Sequence, residues 1–163
     1  MNTATQPKID EVCDMLKSSI AEVYSTMFQM AIQPSETADD RHADEILVAG
    51  SVGFVGDVNG IVYVYVLASF ARTLASRMLA MPEAEIEGEE MVNDVIGEMT
   101  NMVVGAVKSR LCDSGASCKL TIPSIVRGVG LHADPTGSSE RRLLSFATNG
   151  EHILVEFLMK STT

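Results

Sequence analysis

Ile9, Val12, Cys13, Leu16, Ile20, Val23, Met27 and Met30 recur in three- and four-residue steps, which predicts an amphipathic helix over residues 8–31. Pro34 and the polar residues 35–44 end it, and Asp40 and His42 there read as solvated loop chemistry. The period then falls to two. Residues 46–55 and 60–67, rich in Val, Ile, Tyr and Phe, flank a glycine-bounded 56–60 and predict a β-hairpin. The near-continuous apolar run 61–67 predicts a strand covered on both faces. Ser69 is positioned to cap a short helix that turns Phe70, Leu74, Met78 and Leu79 inward and closes at Pro82. A second long helix is predicted over 87–111, with Glu87, Glu89 and Glu90 at its start, Lys108 and Arg110 near its end, and Gly115 as its stop. Strands follow at 117–122, 125–132, 141–148 and 151–159, with a loop at 133–139 and an Asn149-Gly150 turn joining the last two.

Long helix followed by strands therefore occurs twice. The pattern predicts a duplicated α+β architecture, a mixed sheet packed with two long helices, although the halves share little literal identity. A chain of 163 residues is one ordinary domain, so 1–163 reads as a single domain with residues 1–8 as a flexible N-terminal tail.

Composition narrows the function. Twelve Lys plus Arg against twenty-two Asp plus Glu give a net charge of −10, which disfavours nucleic acid and anionic membrane surfaces as partners. No apolar run is long enough to span a bilayer, and the first residues lack the charged and apolar regions of a secretion signal. Cys13, Cys112 and Cys118 form no C-x-x-C pair, so reduced thiols and a cytoplasmic location are expected. His42, His132 and His152 have no partner at ligand spacing, and no metal site is expected. Arg127, Arg141 and Arg142 read as solvated or paired at strand ends.

The second helix carries the informative face. At about 100° per residue, Val95, Ile96, Met99, Val103, Ala106 and Val107 gather around Val92 as the buried stripe. Asp94, Glu98, Asn101, Gly105 and Lys108 gather on the opposite side, with Glu98 and Asn101 one turn apart and aimed at solvent. Met91, Met102 and Val104 read as an apolar rim to the pair. Gly105 costs the helix about 1 kcal/mol relative to Ala and removes bulk beside Asn101, as close docking of another surface would require. A Glu and an Asn three apart occur by chance in many helices, so spacing alone does not make a site.

The string Asp94-x3-Glu98-x2-Asn101-x21-Pro123 resembles the signature of the CheC/CheX/FliY phosphatases of bacterial chemotaxis. The order of elements from about residue 9 to residue 159 is also similar to that family, and the chain is most similar to its CheX branch. The resemblance implies a CheC-like fold and a phosphatase acting on the phospho-aspartate of a CheY-type response regulator. It implies that Asn101 orients the attacking water and that Glu98 pairs with the regulator's active-site Lys. Asp94, Gly105 and Lys108 are candidates for docking and Pro123 for a structural role, ending or bending a strand to which it cannot donate a ladder hydrogen bond. No cofactor of its own is implied, with Mg2+ expected on the partner regulator. A homodimer pairing sheet edges across a two-fold axis is implied as well.

If the halves are duplicates, a second site would fall near Glu22 and Ser25, where Ser replaces Asn and no matching Pro follows. One site per chain is expected. The competing reading is a non-catalytic signalling or flagellar-switch adaptor on the same fold, and Asn101 separates the two, because an adaptor needs no amide beside an acid.

Overall fold

Helix α1 (Ile9–Phe28) buries Val12, Leu16, Ile20, Tyr24 and Phe28 along one stripe. It stops short of residue 31 because Gln29 turns left-handed, at a φ of 55°. The computed structural model describes residues 6–36, 44–134, 137 and 139–160, so Asp40, His42 and residues 1–5 of the expected tail lie outside the described residues. Gln6, within that tail, donates to the Asp57 carbonyl at 3.1 Å. Strand β1 (Gln33–Pro34) forms where only a helix stop was expected. Strands β2 (Leu47–Gly56) and β3 (Gly60–Leu67) make the first hairpin.

Strand β3 runs directly into α2 (Ala68–Leu79), whose cap position is Leu67, so Ser69 lies inside the first turn and caps nothing. Phe70 and Leu74 are buried as expected, whereas Met78 is half-buried and Leu79 is 37% exposed. A left-handed Ala80 ends α2 before Pro82, and a short 3-10 turn, Glu83–Glu85, follows. Helix α3 (Glu90–Asp113) begins after Glu87 and Glu89, leaving Glu90 alone in its first turn. Strands β4 (Cys118–Leu120), β5 (Ser124–Gly128), β6 (Ser139–Thr148) and β7 (Glu151–Lys160) complete the chain. Asn149 and Gly150, both at positive φ, form the expected tight turn between the last two.

The strand order is β1-β6-β7-β3-β2-β4, with β5 also paired to β2. Every pairing among the described residues is antiparallel, which corrects the expectation of a mixed sheet. The duplication explains why. Each half contributes helix, short strand and hairpin. The hairpins meet antiparallel at β3 and β7, and each half's short strand pairs with the other half's hairpin. The helices cover one face of the sheet over Val48, Val52, Val62, Val64, Val155 and Phe157. The run 61–67 is covered on its second face only in part, where Tyr65 packs with Leu47 and Ala49. No helix among the described residues is long and apolar enough to cross a membrane.

Two contacts fix α3 on this platform. A Cβ at Gly50 of β2 would stand 2.2 Å from Thr100 Oγ1 and 3.2 Å from Ile96, so the missing side chain lets helix and sheet close together. Thr100, fully buried, returns its hydroxyl to the Ile96 carbonyl at 2.7 Å. The second contact comes from the sheet edge. Strands β4 and β5 lie along β2 as one strand interrupted by a bulge, in which Thr121, Ile122 and Pro123 oppose Val52 and Gly53. Thr121 seals the bulge, its N–H donating to the Gly53 carbonyl at 2.9 Å and its hydroxyl accepting from the Gly53 N–H at 2.8 Å.

Candidate functional site

Helix α3 is buried over a wider arc than the expected stripe: Gly97, Thr100 and Val104 join Val92, Val95, Ile96, Met99, Val103 and Val107 in the interior. The helix is held on two sides, by the sheet and by its neighbouring helices, whereas a single apolar stripe describes a helix held on one. Val104 is 1% exposed and therefore no part of any rim around the polar pair, contrary to expectation. Ala106, expected in the stripe, is half-buried.

What remains outside is narrow and polar. Asp94, Glu98 and Lys108 are exposed, and Asn101 and Gly105 are half-buried. A Cβ at Gly105 would meet nothing within 4 Å. Among the described residues, no hydrogen bond or ion pair engages the side chains of Glu98 or Asn101, so the amide's donors and the carboxylate's acceptors face outward unspent. Met102, 37% exposed, follows Glu98 by one turn, and Met91 precedes it on the same flank. The pair thus sits on a rigid support and is open to a second surface.

Pro123 lies in the edge bulge, immediately before β5. A Cβ at Gly97 would stand 3.7 Å from Pro123 Cβ, so the bulge lies against the helix one residue before Glu98. Sequence spacing pairs Pro123 with the motif but does not show this contact, because it depends on the tertiary approach of β5 to α3. The arginines are engaged. Arg127 donates from Nε to Asn93 Oδ1 at 2.7 Å and ties β5 to α3, while Arg142 donates to Asp10 at 3.1 Å. Arg141 donates to the fully buried Glu156 at 2.6 Å, whose other carboxylate oxygen accepts from Tyr65 at 2.8 Å. His132 and His152 are exposed and apart from the pair's helix.

The first half holds no equivalent pair. Laying the buried stripe of α1 (Ile9, Val12, Cys13, Leu16, Ile20) on that of α3 (Val92, Val95, Ile96, Met99, Val103) places Glu98 over Met15 and Asn101 over Ser18. Neither is an acid or an amide, Met15 being half-buried and Ser18 exposed. The register that pointed to Glu22 and Ser25 is therefore displaced. Glu22 instead lies 3.7 Å from Arg110.

The groove beside Glu98 was not anticipated. Met78 and Leu79 of α2 and Met91, Asp94, Val95 and Glu98 of α3 line an open depression of about 380 Å³. Its only sequence signal was a pair of apolar residues at the end of α2, which periodicity assigned to the core.

Comparison with known structures agrees with this fold. CheX from Vibrio vulnificus is 24% identical with a TM-score of 0.78, covering 92% of this chain and 97% of its own. A CheC-like superfamily protein from Shewanella sp. PV-4 is 22% identical with a TM-score of 0.79, over 95% of this chain and 100% of its own. CheX from Borrelia burgdorferi, solved as a CheX-CheY-BeF3-Mg2+ complex, is 18% identical with a TM-score of 0.71, covering 92% of this chain and 98% of its own. No curated protein matches the chain. The family model described as chemotaxis phosphatase CheX matches residues 48–147, which span β2 through most of β6 and include all of α3. With most of its length so matched, this chain belongs to the CheX chemotaxis phosphatase family.

Proposed function

We propose that this chain accelerates hydrolysis of the phospho-aspartate of a CheY-type response regulator, with Asn101 orienting the attacking water and Glu98 docking on the regulator's active-site Lys. The observation that carries the reading is the pair itself, unpartnered on the open side of a helix otherwise sunk in the core. The Borrelia complex supports the partner class, since beryllofluoride stands in for a phosphoryl group.

The chemistry suits these side chains. An acyl phosphate is already activated, so a helper need supply only a water held in line with the breaking P–O bond. A neutral amide does this without repelling the phosphoryl oxygens, whereas a carboxylate at the same place would bring like charge against them. Glu98, anionic and exposed, serves better as an anchor for a cation than as a base beside an anion. Asp94 and Lys108, on the same open face, belong to the docking surface, and Gly105 leaves it low. The Mg2+ of the reaction belongs to the regulator.

The test is decay of a phosphorylated CheY-type regulator with and without this protein. Accelerated decay at substoichiometric protein supports the reading. Binding without acceleration would make the chain an adaptor.

A further inference from the structure

We propose that the groove between α2 and α3 receives an apolar side chain of the regulator, flanked by a cationic residue, and so selects which regulator is dephosphorylated. This rests on the function proposed above and adds a specificity surface to it.

The groove is continuous with the site. Glu98 belongs to both: on one side of it lies Asn101, on the other the wall formed by Met91 and Val95. A partner that seats a phosphoryl group on Asn101 and a Lys on Glu98 therefore extends over the groove. Its volume, about 380 Å³ and open, lies near the low end for ligand pockets and suits a protruding side chain. Its floor is apolar, and two of its residues are Met, which adapt to the shape of an incoming group. Leu79 is exposed at the end of α2, where the core makes no use of it.

The rim fixes the charge of the occupant. Its charged groups are the carboxylates of Asp94 and Glu98, and Glu90 stands in the first turn of the same helix. Arg77, the nearest basic residue along α2, donates to the Phe28 carbonyl at 3.2 Å and is thereby directed toward the end of α1. An acidic rim over an apolar floor complements an apolar side chain beside a Lys or Arg.

Leu79→Ser tests this. The residue lies outside the pair and is exposed, so folding, followed by circular dichroism, should be retained. The probes are the CheY-type regulators of the source organism, phosphorylated for turnover and loaded with beryllofluoride for binding. The expected result is about a tenfold rise in KM and in the dissociation constant with kcat unchanged, the size of losing one buried anchor. Parent affinity should also fall with added salt. Parent acceleration with no change in KM or binding for Leu79→Ser overturns the groove and leaves the proposed function standing. Binding that is lost in Leu79→Ser, from a parent that never accelerates decay, supports the groove and overturns the phosphatase reading. A parent that neither binds nor accelerates overturns both. A change in the variant's own mass by light scattering would assign the groove to a second copy of this chain and overturn the proposal.

Discussion

Asn101 is the residue on which chemistry and fold separate most cleanly. Its side chain is half-buried and unengaged, so Asn101→Ala removes an amide without opening a cavity or stranding a partner. The fold should persist, and the acceleration of regulator dephosphorylation should drop by about two orders of magnitude, as when a positioning donor is lost. Asn101→Asp should be nearly as damaging despite its shape, because it faces an anionic phosphoryl group. Glu98→Ala should chiefly raise KM. Single-turnover decay of a phosphorylated regulator at varied enzyme concentration separates these effects, and a folded Asn101→Ala that works like the parent removes the assigned role. The cysteines provide a residue-scale measure of the fold itself. Burial pushes the Cys13 thiol up to about 11 from its ordinary 9.0 and raises Cys118 as well, while Cys112 is exposed. Mass spectrometry after brief alkylation at neutral pH should find Cys112 modified first. A thiol whose proton is held more tightly in the folded state contributes its full stability below pH 9 and loses it as pH climbs through 11, so the melting temperature should fall across that window.

At the scale of elements, two glycines make opposite demands on α3. Gly105 lies on its open face with nothing above it. Gly105→Ala should raise stability by about 0.5–1 kcal/mol through helix propensity and weaken binding to the regulator by adding a methyl to the low surface on which the regulator would dock. Gly50→Ala drives a methyl into Thr100 and should destabilise by about 1–3 kcal/mol, as overpacking does. Chemical denaturation of both variants checks the signs, and two shifts in the same direction would contradict this account of the helix's seating. The contrast also shows what periodicity can carry. The exposed face of α3 was legible because 3.6-residue spacing is a local property, and Gly105 stood out on it. Gly50, the seating of Pro123 against Gly97, the burial of Val104 and the exposure of Leu79 were not legible. Each depends on which neighbour the fold brings alongside, and a period describes only the element that carries it. Strand β1 escaped for a related reason, since two residues make no period and Pro34 reads as a stop.

Across the whole molecule, the two halves exchange their short strands, and this decides where the sheet is left open. On one side the bulge at Thr121, Ile122 and Pro123 breaks the outer strand and blunts it against pairing. On the other, β1 pairs only with Phe146 and Ala147, and no strand among the described residues flanks 140–144 of β6. If this chain dimerises through a continuous sheet, as the resemblance implied, β6 is the edge that can accept a second copy. An antiparallel pairing centred on Arg141 sets Glu140 of each copy opposite Arg142 of the other, an attractive match. Arg141 would then face itself, but its guanidinium is already paired with the buried Glu156, which offsets the repulsion. The expected mass by light scattering is that of two chains at micromolar concentration. Arg142→Glu should shift the protein toward one chain by setting Glu against Glu140, and so should Glu140→Arg by setting Arg against Arg142. Combining the two swaps should restore the pair. A parent mass of one chain rules the dimer out, and a dimer indifferent to all three changes places its interface away from β6.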